Sequence, residues 1–90
     1  MISKKTAVVN KTGLHARPAS DFVQKAKAFQ SIITIRNLDE DGESVNAKSI
    51  VRLLAEGMGQ GTNVEISADG PDEQQAVDTL VDLMETGFGE

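Results

Sequence analysis

The stretch TNVEISADG, Thr62 to Gly70, alternates cleanly between apolar and polar residues. Val64, Ile66 and Ala68 fall on one face of an extended chain, and Asn63, Glu65 and Ser67 on the other. A period of two over this length predicts a half-buried strand. A strand apolar on one face belongs to a sheet that helices cover on that face and water covers on the other.

Working outward, Pro71 sits where a helix can start, and Asp72 and Glu73 in its first turn suit the helix dipole. Ala76, Val77, Leu80, Leu83 and Met84 form its apolar stripe, and Gly87 stops it. Upstream, GMGQG (57–61) ends a short helix over Ser49 to Glu56, with Ile50, Leu53 and Leu54 at helical spacing. Ser44 to Asn46 reads as a short strand, LDEDGES (38–44) as a turn, and SIITIRN (31–37) as a strand with Ile33 and Ile35 on one face. Ala16, Ala19, Phe22, Val23, Ala26 and Phe29 repeat as an amphipathic helix requires, with Asp21 and Lys25 a favourable pair four residues apart. Ile2 to Val9 is β-branched enough for a first strand, and KTG (11–13) punctuates it. The order β-α-β-β-α-β-α predicts an α/β (α+β) fold: a two-layer open-faced sandwich. Its four-stranded, mostly antiparallel sheet is covered on one face by three helices, as a single domain over residues 1–90.

The chain has no cysteine and no tryptophan or tyrosine. A thiolate metal site and a disulfide are excluded, and stacking platforms for nucleic acid are nearly absent. No metal, cofactor or nucleic acid is expected. No apolar run reaches the length of a membrane span, so no membrane insertion is expected, and cytoplasm is the default compartment. Net charge is −5, unevenly spread: all nine Lys and Arg lie in residues 1–52, whereas residues 53–90 carry nine acids and no Lys or Arg. Such a dipolar domain can offer a basic surface to an acidic partner despite its acidic total.

The chemistry concentrates in NKTGLHARPAS, Asn10 to Ser20, which holds the only histidine, His15. It stands at the expected start of a helix, where unpaired N–H groups and the positive end of the dipole attract phosphate. Arg17 adds a cation able to bind phosphate oxygens through two donors. Pro18 suits a first turn, and Gly13 lets the chain turn sharply into the site. A metal site lacks further ligands, and a Ser-His-Asp hydrolase lacks a nucleophile elbow. An imidazole in an anion site can attack a phosphoryl group; the same residues can also simply bind an anion or an acidic partner.

GLHARPAS resembles the phosphorylation signature of the HPr family, the histidine-containing phosphocarriers of the phosphoenolpyruvate:sugar phosphotransferase system. AKSI, GQGT, ISADG and DEQQAV fall where the family carries comparable segments. The resemblance implies a non-enzymatic carrier phosphorylated on His15 through Nδ1. It implies that Arg17 assists transfer and that the backbone N–H groups of Ala16 and Arg17 hold the phosphate. It implies enzyme I as donor and sugar-specific IIA domains as acceptors, met by a monomer through Ser20, Gln24, Lys27, Lys48, Val51, Arg52 and Leu54. On this reading Arg17, Lys27, Lys48 and Arg52 surround His15. Relatives in the nitrogen-related branch and those serving a dihydroxyacetone kinase use the same chemistry, and HPr-like regulators that carry no phosphate lack the histidine.

Ser49, before the apolar run IVRLL, is a natural N-cap. The resemblance adds a regulatory reading: in many low-GC Gram-positive bacteria an HPr kinase/phosphorylase modifies the matching serine, and a catabolite-control regulator recognises the product. Arg52 departs from the glycine of those proteins and matches the basic residue of enteric ones, which keep the serine without the kinase. The turn LDEDGES is longer than in either group.

Overall fold

The computed structural model describes residues 1–40 and 42–89; Asp41, in the expected turn, lies outside them. The elements are β1 (Ile2–Ala7), α1 (Ala16–Lys27), β2 (Ile32–Asn37), β3 (Val45–Asn46), α2 (Ile50–Ala55), β4 (Asn63–Asp69) and α3 (Glu73–Glu85), followed by a 3-10 turn at Gly87–Gly89. The strands form one sheet in the order β1-β4-β2-β3, with every pairing antiparallel. The expected open-faced sandwich is therefore the observed fold.

The alternation in β4 sets the layers. Val64, Ile66 and Ala68 are buried, as are Ile33 and Ile35 beside them on β2. Their cover comes from Ala19, Phe22, Val23 and Ala26 of α1 and Ala76, Val77, Leu80 and Met84 of α3. Each large apolar side chain so buried contributes roughly 1.5–3 kcal/mol. The opposite face is polar: Ser3 and Ser67 share a 2.8 Å hydrogen bond, and Arg36 lies 3.6 Å from Glu65. The expected Asp21–Lys25 pair is not closed; the side-chain ion pairs among the described residues are Lys4–Asp78 and Arg36–Glu65.

Two expectations need correction, at the end of β1 and the start of α3. β1 ends at Ala7 rather than Val9, although Val8 still donates its N–H to the Thr62 carbonyl and accepts from Gly61. In α2 only Leu53 is buried; Ile50, Leu54 and Val51 are exposed. A six-residue helix resting on α1 has room for one inward position, which leaves Val51 and Leu54 outward, on the surface that the resemblance assigns to partners. Pro71 lies outside α3, which starts at Glu73.

The last difference has a local cause. Asp72 does not cap α3 with its side chain. It reaches across to the start of β2, accepting the N–H groups of Gln30 (2.9 Å) and Ser31 (3.0 Å) and the Ser31 hydroxyl. Gly70 permits this closeness, since a Cβ there would meet Ser31 Cα at 2.7 Å. The Ser31 hydroxyl, with the Gln30 N–H, holds the Asp72 carboxyl below its ordinary value of 3.8.

A second close approach fixes the segment before α1. Gly13 has φ +70°, and a Cβ there would lie 2.7 Å from both Gly59 Cα and the Met58 carbonyl oxygen. Leu14, fully buried, donates its N–H to that carbonyl at 2.8 Å. The loop preceding α1 is thus fastened to the loop following α2.

Two outcomes test these contacts. Asp72→Asn is expected to lower Tm at pH 7. A depressed carboxyl contributes stability that is present above its unfolded pKa and lost as pH falls through its folded one. The Tm difference from the unaltered chain should therefore shrink in melts taken progressively below pH 3.8; a constant difference would show that charge is not its source. Gly13→Ala combines a left-handed penalty with a backbone clash. It should cost about 2–4 kcal/mol in denaturant unfolding, while Gly57→Ala, left-handed with nothing within 4 Å, should lose only the first part.

Candidate functional site

His15 occupies the N-cap position of α1, with extended backbone at φ −132° and ψ 161°. Its side chain makes no capping bond, so the ring is not spent on satisfying its own helix. The first turn of α1 contains no acidic residue. Its N–H groups and the positive end of the dipole are therefore not neutralised from within, in contrast with α3, which has Glu73 in its first turn.

Ala16 adopts φ +50°, a left-handed conformation that costs an L-residue about 1–2 kcal/mol. This kink follows directly on the fastened Gly13–Leu14 segment. Leu14 is locked in the core, Pro18 and Ala19 are buried on the helix face, and the chain must turn within the three residues between them. The strain is sustained because both flanks are fixed. The result leaves His15, Ala16 and Arg17 exposed together above a rigid base.

Arg17 is exposed and forms no ion pair or hydrogen bond among the described residues. A guanidinium left unpaired beside unneutralised helix N–H groups can accept a bulky dianion without first breaking another contact. The described clefts of about 480 and 430 Å³ are lined by other residues. An exposed imidazole suits delivery to a partner.

The helix pair α1–α2 decides where the remaining candidates stand. Leu14, just before α1, bonds to Met58, just after α2. Lys48, just before α2, donates from Nζ to the Phe29 carbonyl, just after α1, at 2.8 Å. The helices therefore run antiparallel, and His15 lies at the end away from Lys48 and Ser49. Lys27 is the last residue of α1, about 15 Å along the axis from Arg17. Lys27 and Lys48 accordingly do not surround His15; the basic residues are spread along the helix pair. Ser20 is half-buried, Gln24 and Lys27 are exposed on α1, and Val51, Arg52 and Leu54 are exposed on α2. Val51 at 72% and Leu54 at 41% exposure make this an apolar surface flanked by cations.

Ser49 caps α2 as read from the sequence, its Oγ accepting the Arg52 N–H at 3.3 Å. Sequence reasoning missed the supports of the His15 loop. Asn10 is buried and donates to the Gly13 carbonyl at 2.8 Å and to Thr12 Oγ1 at 3.1 Å. An Asn opening a turn that closes on Gly is a local signal for such bonds. The contact with Met58–Gly59 has no local signal, because its partners are far apart in the chain.

Comparison with known proteins agrees with this geometry. Residues 2–86 match the family described as the PTS HPr component phosphorylation site. The chain is 49% identical to the phosphocarrier protein HPr of Haemophilus influenzae, over 96% of this chain and 98% of that one. It is 44% identical to the HPr-like protein Crh of Halalkalibacterium halodurans, over 94% and 98%. The crystal structure of HPr from Thermoanaerobacter tengcongensis superposes with a TM-score of 0.93 at 48% identity, covering 100% of this chain and 98% of that one. A half-buried alternating strand, a left-handed turn and a histidine at an open helix end thus meet in one chain, and that chain belongs to the HPr family of phosphocarriers of the phosphotransferase system.

Proposed function

We propose that His15 is the residue that carries the phosphoryl group, accepting it from phospho-enzyme I and passing it to sugar-specific IIA domains in the cytoplasm. The observation that carries this reading is the unspent imidazole at an unneutralised helix start, with an unpaired Arg17 two residues on. The Nδ1 lone pair attacks phosphorus, which requires the ring proton on Nε2. The phosphorus–nitrogen bond forms as the bond to the donor breaks, and that electron pair leaves with the donor. The Ala16 and Arg17 N–H groups receive the charged oxygens, and the Arg17 guanidinium balances charge as the group moves. A helix end contributes about 0.3–1 kcal/mol to holding such a charge. That modest figure suits a carrier that must release its cargo.

The docking surface in this reading is the strip of half-buried Ser20 with exposed Gln24 and Lys27 of α1, exposed Val51, Arg52 and Leu54 of α2, and neighbouring Lys48. Apolar Val51 and Leu54 supply desolvation and the cations supply steering. Ser49 is proposed as a regulatory phosphorylation site for an HPr kinase/phosphorylase, its product read by a catabolite-control regulator. At the far end of the helix pair, a phosphoserine would act on transfer through the charge of the docking strip, without touching His15.

Incubation with enzyme I and phosphoenolpyruvate, read by intact mass and phosphorus NMR, should give one acid-labile phosphoryl adduct. His15→Ala should abolish it, and an adduct that survives this change rejects the assignment. Arg17→Ala should retain the adduct but slow its formation by about 100–1,000-fold, the scale of losing one charge-stabilising donor. A docking module without chemistry predicts instead that partner binding survives His15→Gln and that no adduct forms. For Ser49, HPr kinase with ATP should add one acid-stable phosphoryl group that Ser49→Ala removes; its persistence in that variant places the modification elsewhere.

A further inference from the structure

We infer that Asn10 is a positioning residue for phosphoryl transfer, acting on His15 through the turn that delivers it; this rests on the carrier role proposed for His15. Asn10 lies five residues upstream, is only 4% exposed, and touches neither the imidazole nor the docking strip in any described hydrogen bond. Its Nδ2 donates to the Gly13 carbonyl at 2.8 Å and to Thr12 Oγ1 at 3.1 Å, and its own carbonyl accepts the Gly13 N–H at 3.2 Å. Both polar groups of the Gly13 backbone are thereby tied to one residue.

Gly13 is also the residue seated on Gly59, in a left-handed conformation that leaves no space for a Cβ. A small rotation of the Gly13 peptide would lift Leu14 from its bond to Met58 and tilt the N-cap residue that follows. Asn10 holds that peptide from the inside of the turn. Phosphoryl transfer is sensitive to such tilts, because a misplacement of about 1 Å in a reacting group can cost about 100-fold in rate.

The side chain carries a cost that its packing alone does not explain. Oδ1 of Asn10 is buried and has no hydrogen-bond partner among the described residues. An unsatisfied buried acceptor is destabilising, since it gives up its bond to water and gains none in return. An apolar residue would avoid that cost but would leave the Gly13 carbonyl without its donor. Aspartate fills the same volume but lacks both donors when ionised. The amide is the group that donates twice here.

The test compares Asn10→Ala and Asn10→Ser with Val77→Ala, a core change in α3 remote from the turn. Each protein is assayed for phosphorylation by enzyme I and phosphoenolpyruvate, well below its own Tm, with kcat and KM for the carrier separated. The expected result is about a tenfold fall in kcat for Asn10→Ala, with KM little changed because the docking strip is intact. Asn10→Ser, which retains one donor in a side chain as small, should recover part of the rate. Val77→Ala should lose Tm without losing kcat. His15 ring signals in proton–nitrogen NMR should shift in Asn10→Ala and stay in place in Val77→Ala.

Equal kcat and unmoved ring signals in Asn10→Ala and Val77→Ala would overturn the inference, reducing Asn10 to a structural residue. If Asn10→Ala does not fold, Asn10→Ser carries the comparison, and wild-type kcat with unmoved ring signals there has the same meaning. If the unaltered chain itself takes no phosphoryl group from an enzyme I active on a control carrier, the carrier reading fails and this inference falls with it.

Discussion

The contact on which the site depends is made by backbone: Gly13 pressed against Met58 and Gly59, with the Leu14 N–H bonded to the Met58 carbonyl. It joins the loop before α1 to the loop after α2. From it follow the antiparallel setting of the two helices, the burial of Leu14 and the abrupt turn at Ala16. Packing in the sheet makes the platform. This one closure decides that the start of α1 faces outward with an unoccupied imidazole rather than folding its cap back on itself.

Most of the architecture was legible because its signals are periodic and local. The alternation of Val64, Ile66 and Ala68 defined the layers, and the stripe from Ala76 to Met84 defined α3. The motif around His15 was legible for the same reason: glycine, histidine, arginine and proline act within a few residues of one another. What escaped the sequence depends on distant partners. Nothing in the neighbourhood of Asp72 announces that its carboxylate will serve Gln30 and Ser31 in place of its own helix. Of the apolar residues of α2 only Leu53 meets the core, because α2 is too short to turn a wide face inward. The resemblance places Lys27 and Lys48 around His15; the length of α1 sets Lys27 at the other end, and the direction of α2 sets Lys48 there.

The site combines two tensions that the fold holds in place. Ala16 sits in a conformation that alanine avoids, and Asn10 keeps a buried oxygen without a partner among the described residues. Both lie within the segment that leads the chain into α1. Each is unfavourable alone and tolerable because Leu14 on one side and Pro18 and Ala19 on the other are anchored in the core. The electrostatics are similarly unresolved, with no acid in the first turn and an uncommitted Arg17. On the proposed carrier role, an incoming dianion would meet an open helix start and an exposed guanidinium, and little of its binding energy would be spent on rearrangement.

The fastening beneath His15 runs through main-chain atoms and buried residues, while the strip proposed for docking, along the helix pair, is made largely of exposed side chains. If partners read that strip, geometry and recognition are written in separate sets of residues. Ser20, Gln24, Val51 and Leu54 can be exchanged for others of similar helical propensity without altering how the imidazole is held. Such a division lets a lineage of carriers drift toward new partners, or split into insulated pairs after gene duplication, while the reaction stays the same. It also marks where an engineer would recode the strip to build a second phosphorelay that does not cross-talk with the first.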